Sequence, residues 1–193
     1  MKKLLLITLL CTFSLTSNAQ VFEFDRNFVQ VGYGLGLGYG RLLNAYNTQD
    51  NYRFGGFGPV ALSYERGVTD NIGVGVQFGF SSYGATWTDN YGVGIDYKYR
   101  WSNLTVMVRG AYHFDVRNRK IDPYAGVGIG YSKYTSKYIS DDPTFTGGNV
   151  SFGIPLAYQI FGGIRYMFND NFGVYAEAGY GISVFNGGLV LTF

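Results

Sequence analysis

The chain has 193 residues, among them 29 Gly, 18 Tyr and 16 Phe, and only 15 % carry a formal charge, for a net +2. Its glycine load, about twice average usage, argues against a helical fold, because each interior Gly costs roughly 1 kcal/mol of helix stability. Aromatic content of 19 % without a Gly-x-y triplet excludes collagen and ordinary disorder, which leaves a β-rich chain sized for one domain.

Met1-Lys2-Lys3 is a short positive start, Leu4 to Leu15 is a mostly apolar run, and Ser17-Asn18-Ala19 places small residues ahead of Gln20. This is the pattern of a secretory signal peptide over residues 1–19, cut between Ala19 and Gln20. The run is too short to cross ~30 Å of hydrocarbon as a helix. Cys11 lies inside it, without the small residues that lipoprotein processing needs. Loss of Lys2 and Lys3 leaves a mature chain, 20–193, with 13 basic and 13 acidic side chains. Zero net charge gives no reason to expect nucleic acid as a partner. The single Cys leaves too, so neither a disulfide framework nor a Cys-ligated metal site is expected. No later apolar run is long enough for a membrane helix, so the exported chain is either soluble or a membrane β-barrel.

Period-two alternation, the mark of a strand with two unlike faces, then recurs eight times. Val29, Val31, Tyr33, Leu35, Leu37 and Tyr39 alternate with Gln30 and glycines. Val60, Leu62 and Tyr64 oppose Ala61, Ser63 and Glu65, and Ile72, Val74, Val76, Phe78 and Phe80 oppose Gly73, Gly75, Gln77, Gly79 and Ser81. Leu104, Val106, Val108, Tyr112 and Phe114 oppose Thr105, Met107, Arg109, Ala111 and His113. Ala125, Val127, Ile129 and Tyr131 oppose Tyr124 and glycines. The last three segments set Ile154 to Phe168 against Ala157, Gln159, Phe161 and Arg165, Phe172 to Tyr180 against Tyr175 and Glu177, and Phe185 to Phe193 against Asn186, Val190 and Thr192.

Connections alternate as well. Residues 67–71, 115–122 and 169–171 are short and polar, whereas 41–55, 83–100 and 135–151 are long, with a brief link near Gly181. The two short turns before Ile72 and Phe172 share the text Asp-Asn-x-Gly-Val, which similar turn chemistry explains.

No Asp, Glu, Lys, Arg, Asn or Gln falls on the apolar face, and the strand-interior charges all lie on the Gly-rich face. Turned inward, as in a soluble lipocalin-like barrel, those large side chains would overfill an eight-stranded interior. Turned outward they meet lipid, and the Gly-rich face fits a narrow lumen. The expected fold is therefore all-β, an eight-stranded antiparallel up-and-down transmembrane β-barrel, with short turns periplasmic and long loops outside. Tyr and Phe near the strand ends fit the interfacial aromatic girdles.

Phe185, Leu189, Leu191 and terminal Phe193 form an alternating last strand that ends on an aromatic carboxyl terminus, similar to the signal read by the outer-membrane assembly machinery. With the eight strands and the leader, residues 20–193 resemble the small bacterial outer-membrane β-barrel family of the OmpX/OmpA type. The resemblance rests on pattern rather than on a sharp motif. It implies residence in the outer membrane, with lipid and the assembly machinery as partners, a monomer, and no enzymatic activity. Unlike the OmpA type, no periplasmic peptidoglycan-binding domain is expected after Phe193, so cell-wall tethering is not carried over.

Candidate sites follow from the faces. Glu65, Arg109, Arg165 and Glu177, with Gln77 and Gln159, form an expected lumen ion-pair and amide network, in which Arg165 is placed diagonal to Glu177. A rearrangeable gate passing small solutes is the alternative, a porin-like channel. His113, the only His, is expected to face inward near the periplasmic mouth as filler, without the Ser partner of lipid-modifying barrels. Asp141-Asp142 and Asp89-Asn90 lack the spaced carboxylates of a Ca²⁺ loop, and no metal or cofactor is expected. Tyr52, Trp87, Tyr97, Trp101 and Tyr138 sit among small polar residues in the long loops, a composition that binding surfaces reuse for an extracellular protein or surface ligand. Alternation at 97–101 and 133–138 suggests strands that run past the membrane and offer an edge to a partner. The function expected is a structural or surface-interaction barrel with a plugged polar lumen.

Overall fold

Segments that alternate large apolar residues with Gly lack the 3.6-residue stripe a helix needs, and all eight become strands. The computed structural model describes residues 21–35, 52–88, 96–140 and 147–193. In chain order these hold β1 (Asn27–Leu35), β2 (Tyr52–Gly67), β3 (Ile72–Thr88), β4 (Asp96–His113), β5 (Ile121–Ser140), β6 (Asn149–Met167), β7 (Phe172–Tyr180) and β8 (Phe185–Thr192). Each strand pairs antiparallel with the next, and β1 pairs with β8, which closes the barrel. The seam is held at the chain end, where Asn27 and Phe193 exchange backbone hydrogen bonds of 3.1 Å in both directions. The leader with its Ala19-Gln20 junction, the upper part of the first alternating segment, Asp89-Asn90 and Asp141-Asp142 lie outside the described residues.

Side-chain capture of backbone amides explains the echo between the two short turns. Thr69 Oγ1 accepts from the Asn71 and Ile72 amides at 3.3 and 2.9 Å, and Asn169 Oδ1 accepts from those of Asn171 and Phe172 at 3.0 and 2.8 Å. Different residues supply the same acceptor, as Asx and ST turns allow.

The two faces are inverted relative to a soluble protein. Val108, Ile129 and Leu156 are 54 %, 56 % and 64 % exposed, whereas Gln30, Gln77, Arg109 and Arg165 are buried. Along β4 the outward apolar run from Leu104 to Phe114 covers ~34 Å of strand, or ~26 Å along the membrane normal at a tilt of ~40°. That matches the ~25 Å apolar band of a transmembrane barrel. Val108 lies near its middle, so Val108→Arg is expected to destabilise the barrel by about 2–4 kcal/mol in vesicles. Urea unfolding of the reconstituted protein measures this, and an unchanged midpoint would place water rather than lipid on that face.

Four connections differ from the sequence expectation. The long connections 41–55, 83–100 and 135–151 are partly strand, because β2 to β6 continue well past the apolar band. The turn expected to run to Asp122 ends at Lys120, and Asp122 is the second residue of β5, buried on the inner face. Asp is depleted in strands, which is why the sequence alone reads it as turn. Here the carboxylate has a cation waiting for it.

Candidate functional site

Each lumen residue is aimed inward by strand parity, so the charges on β2, β4, β5, β6 and β7 converge although they are far apart in sequence. Arg165 on β6 is fully buried and donates from Nη2 to Glu65 Oε1 at 2.6 Å and from Nη1 to Asp122 Oδ2 at 2.9 Å. Its guanidinium is sandwiched between the rings of Phe28 and Tyr124, 4.4 and 4.5 Å from their centroids. A planar cation between aromatic faces with two carboxylates at its edge is a setting that suits Arg and not Lys.

His113 completes this lower cluster. Its Nδ1 lies 2.8 Å from Asp122 Oδ1, its Nε2 lies 3.2 Å from Glu65 Oε1, and Phe22 stacks on the ring at 3.5 Å. The residue faces inward at the barrel's lower end and links two carboxylates; it is more than filler. Phe22 reaches it because Asp25, at φ 68°, turns the amino-terminal segment back beneath the barrel. Val21, Phe22, Phe28, Met167 and Val190 form an apolar cluster there.

Higher in the bore, Arg109 Nη2 donates to Glu177 Oε1 at 2.6 Å, and the Tyr124 hydroxyl donates to the same oxygen at 2.9 Å. Arg109 also lies 3.8 Å over the Phe161 ring. The expected diagonal contact of Arg165 with Glu177 is not made. Position 165 pairs with Tyr175 and Glu177 with Gly163, so the two side chains leave neighbouring strands at different heights. Arg165 takes one carboxylate, Asp122, from the position directly opposite on neighbouring β5, and each Arg also crosses the bore to a strand that is not its neighbour, a distance that a sequence-local diagonal rule does not consider. Ser63 donates to Gln30 at 2.9 Å, and Asn186 to Tyr175 at 3.1 Å. Gln77 and Gln159 are buried with their amide oxygens unpaired among the described residues. Ile182, in the link after β7, reaches the bore beside Gly79, where an added Cβ would meet it at 2.8 Å.

Glycines make room for these large groups. A Cβ at Gly163 would come within 2.6 Å of the Tyr124 ring and 2.8 Å of Glu177 Cγ. The positions opposite the long polar side chains are therefore small because the bore is narrow.

Above the apolar band the inward face of β2 to β5 becomes aromatic. Trp87 stacks on Tyr97 at 5.7 Å and meets Tyr138 at 5.9 Å, and Trp101 contacts Tyr99, Phe54 and Tyr83 at 5.4, 5.7 and 6.1 Å. The loop-contact residues Trp87, Tyr97, Trp101 and Tyr138 thus belong to strands; Trp87, Tyr97 and Tyr138 pack on one another, Trp101 joins them through Tyr99, and Tyr52 opens β2 opposite Trp87. Phe185, Leu189, Leu191 and Phe193 line the outward face of the last strand. No group of His, Cys, Asp and Glu suited to a metal ion occurs among the described residues.

A closed antiparallel barrel with an apolar exterior, a charged interior and strands that outrun its hydrophobic band is an integral protein of the bacterial outer membrane. Residues 7–185 match the outer membrane protein beta-barrel domain family, and the chain belongs to it. Among solved structures it resembles Ail, the attachment invasion locus protein of Yersinia pestis, at 14 % identity and TM-score 0.51, over 88 % of this chain and 99 % of that one. Ail in complex with the heparin analogue sucrose octasulfate matches at 15 % identity, with the same TM-score and coverage. The N-terminal β-barrel domain of Pseudomonas aeruginosa OprF follows at 16 % identity and TM-score 0.44, over 89 % and 97 %. No curated relative matches.

Proposed function

We propose that the barrel is a plugged anchor whose extended strands present an interaction surface outside the cell. The observation that carries the reading is the mismatch in strand length. β6 reaches Asn149, whereas β7 ends at Tyr180 opposite Ile160, so β6 above that point has β5 on one side and no strand among the described residues on the other. Such an edge offers unpaired backbone groups to an extended segment of another protein. Val150 and Phe152, 60 % and 55 % exposed, stand on this free stretch.

Plugging is supported by the crossing ion pairs, with Phe22 below and Ile182 above. Biogenesis through the outer-membrane assembly machinery is part of the same reading, with Phe185, Leu189, Leu191 and Phe193 as the segment it reads. So is export by a leader cut between Ala19 and Gln20.

Val150→Lys with Phe152→Lys, which puts charges on the free β6 edge, tests the surface role. Cells displaying this variant are expected to adhere to matrix-protein-coated wells several-fold less than cells displaying the unaltered chain, with unchanged heat-modifiable migration on gels. Equal adhesion, together with stable single-channel steps from the purified wild type, would favour the channel reading instead.

A further inference from the structure

β2 to β6 continue upward past their last pairs with the shorter strands, Val60 with Tyr33 of β1 and Ile160 with Tyr180 of β7. Above that level they form a curved five-stranded wall, and among the described residues no strand joins β6 back to β2. The concave side of the wall is a trough open along one side.

Register puts its charges on one face only. Arg53, Lys98, Arg100, Lys133 and Lys137 fall on the outward face with Leu104. From the Ser81 row upward, no inward position of β2 to β6 carries a charge among the described residues. Those positions mix aromatic rings with small polar groups. On β4, Tyr97, Tyr99, Trp101 and Asn103 follow at every second residue, and on β5 Tyr134, Ser136 and Tyr138 do the same. The rings are half-buried, and the hydroxyls of Tyr97, Tyr99 and Tyr134 make no hydrogen bond to another described residue. An interfacial girdle does not account for them. Girdle aromatics face lipid at headgroup level. These face the trough, and Tyr97 stands seven residues beyond Leu104, ~24 Å along the strand and ~18 Å along the membrane normal.

This composition selects among ligands. A charged ligand would lose water and meet no counter-charge on this face. A wholly apolar one would cover phenol, Ser and Asn groups without giving them partners. A neutral sugar has a C–H face that lies against an aromatic ring, and hydroxyls at its edge that donate to and accept from those polar groups. Saccharide anchored in the surrounding membrane stands against the outward face of the wall, so the sugar that meets the trough comes from outside the cell.

The geometry points to this trough as a binding site for an uncharged extracellular oligosaccharide, held by the rings of Trp87, Tyr97, Tyr99 and Trp101 and by hydrogen bonds to the phenols and Asn103. It goes beyond the interaction surface proposed above, because it uses inward side chains rather than the backbone edge of β6.

Trp87 and Trp101 are the two tryptophans of the chain, so its fluorescence reads the trough directly. Residues 20–193, refolded in nanodiscs, are titrated with cellohexaose, maltohexaose and chitin hexasaccharide, and with a sulfated oligosaccharide and an uncharged aromatic peptide as contrasts. At least one neutral hexasaccharide is expected to shift the emission and shield the tryptophans from acrylamide, and the sulfated one to do neither. Calorimetry is expected to show Trp87→Ala binding that sugar about tenfold more weakly. Tyr99→Phe with Tyr134→Phe, which keeps both rings, is expected to weaken it about fivefold. Lys137→Ser, on the outward face, is expected to change nothing. Heat-modifiable migration checks the fold of each variant, and the Phe pair carries the test should Trp87→Ala not fold. Failure of all three neutral sugars to reach the tryptophans, or sugar binding indifferent to the phenols, would overturn the assignment. So would shielding by the peptide in place of the sugars, which would give the trough to a protein.

Discussion

Replacing Arg165 with Ala is expected to lower the unfolding free energy of the barrel by about 3–5 kcal/mol, the largest loss for any single lumen position. The reason is what remains behind. Glu65 and Asp122 are both buried and both lean on this guanidinium, at 2.6 and 2.9 Å, and His113 touches the same two carboxylates from the other side. Without Arg165 two buried carboxylates face one imidazole, on whose ring Phe22 is stacked. The ring contacts with Phe28 and Tyr124 disappear as well. Urea unfolding in vesicles, followed by Trp fluorescence and by heat-modifiable migration, reads the change. Arg165→Met combined with Glu65→Gln and Asp122→Asn is expected to recover most of the loss, because it removes the uncompensated charge and keeps the volume. A loss under about 1 kcal/mol for Arg165→Ala would mean that the cluster is solvated and the bore open at that depth.

Arg109→Ala is expected to act on permeation more than on stability. Arg109 spans the bore from β4 to Glu177 on β7, and its guanidinium covers the Phe161 ring. Its loss leaves Glu177 with the Tyr124 hydroxyl as its one remaining donor among the described residues, and turns the upper bore negative. Planar-bilayer recordings of the wild type are expected to show no stable steps. The variant is expected to show cation-selective steps, at a stability cost of about 3 kcal/mol. Removing the partner instead, with Glu177→Gln, leaves Arg109 uncompensated in the upper bore and is expected to reverse the selectivity. Steps of equal size in wild type and both variants would show that this pair does not control the passage.

How much of this was legible follows from the kind of signal each feature leaves. Alternation in every strand, together with a charge-free apolar face, left one economical arrangement, since large side chains that cannot fit inside a narrow barrel must face out. Parity then assigned Glu65, Gln77, Arg109, Arg165 and Glu177 to the inner face, where the structure has them buried. Partners were another matter. Arg165 reaches Glu65, 100 residues away, and Arg109 reaches Glu177, 68 residues away, both across the bore. Cross-strand neighbour rules consider adjacent strands only, so they paired Arg165 with Glu177. Asp122 was missed because a lone Asp next to a polar turn looks like part of it.

The cations above the apolar band show the same division. Their alternation with Tyr and Trp is plain in 97–101, and it suggested strands that leave the membrane. That Arg100 faces Lys137, and that both stand above Leu104 on the lipid side, depends on the register between β4 and β5. The sequence by itself determined which side of each strand is greasy and which is polar, because that information is local and repeats every second residue. Only the tertiary structure decided which charges meet, because contact across a closed barrel depends on strand stagger and bore width, and neither is written in any single strand.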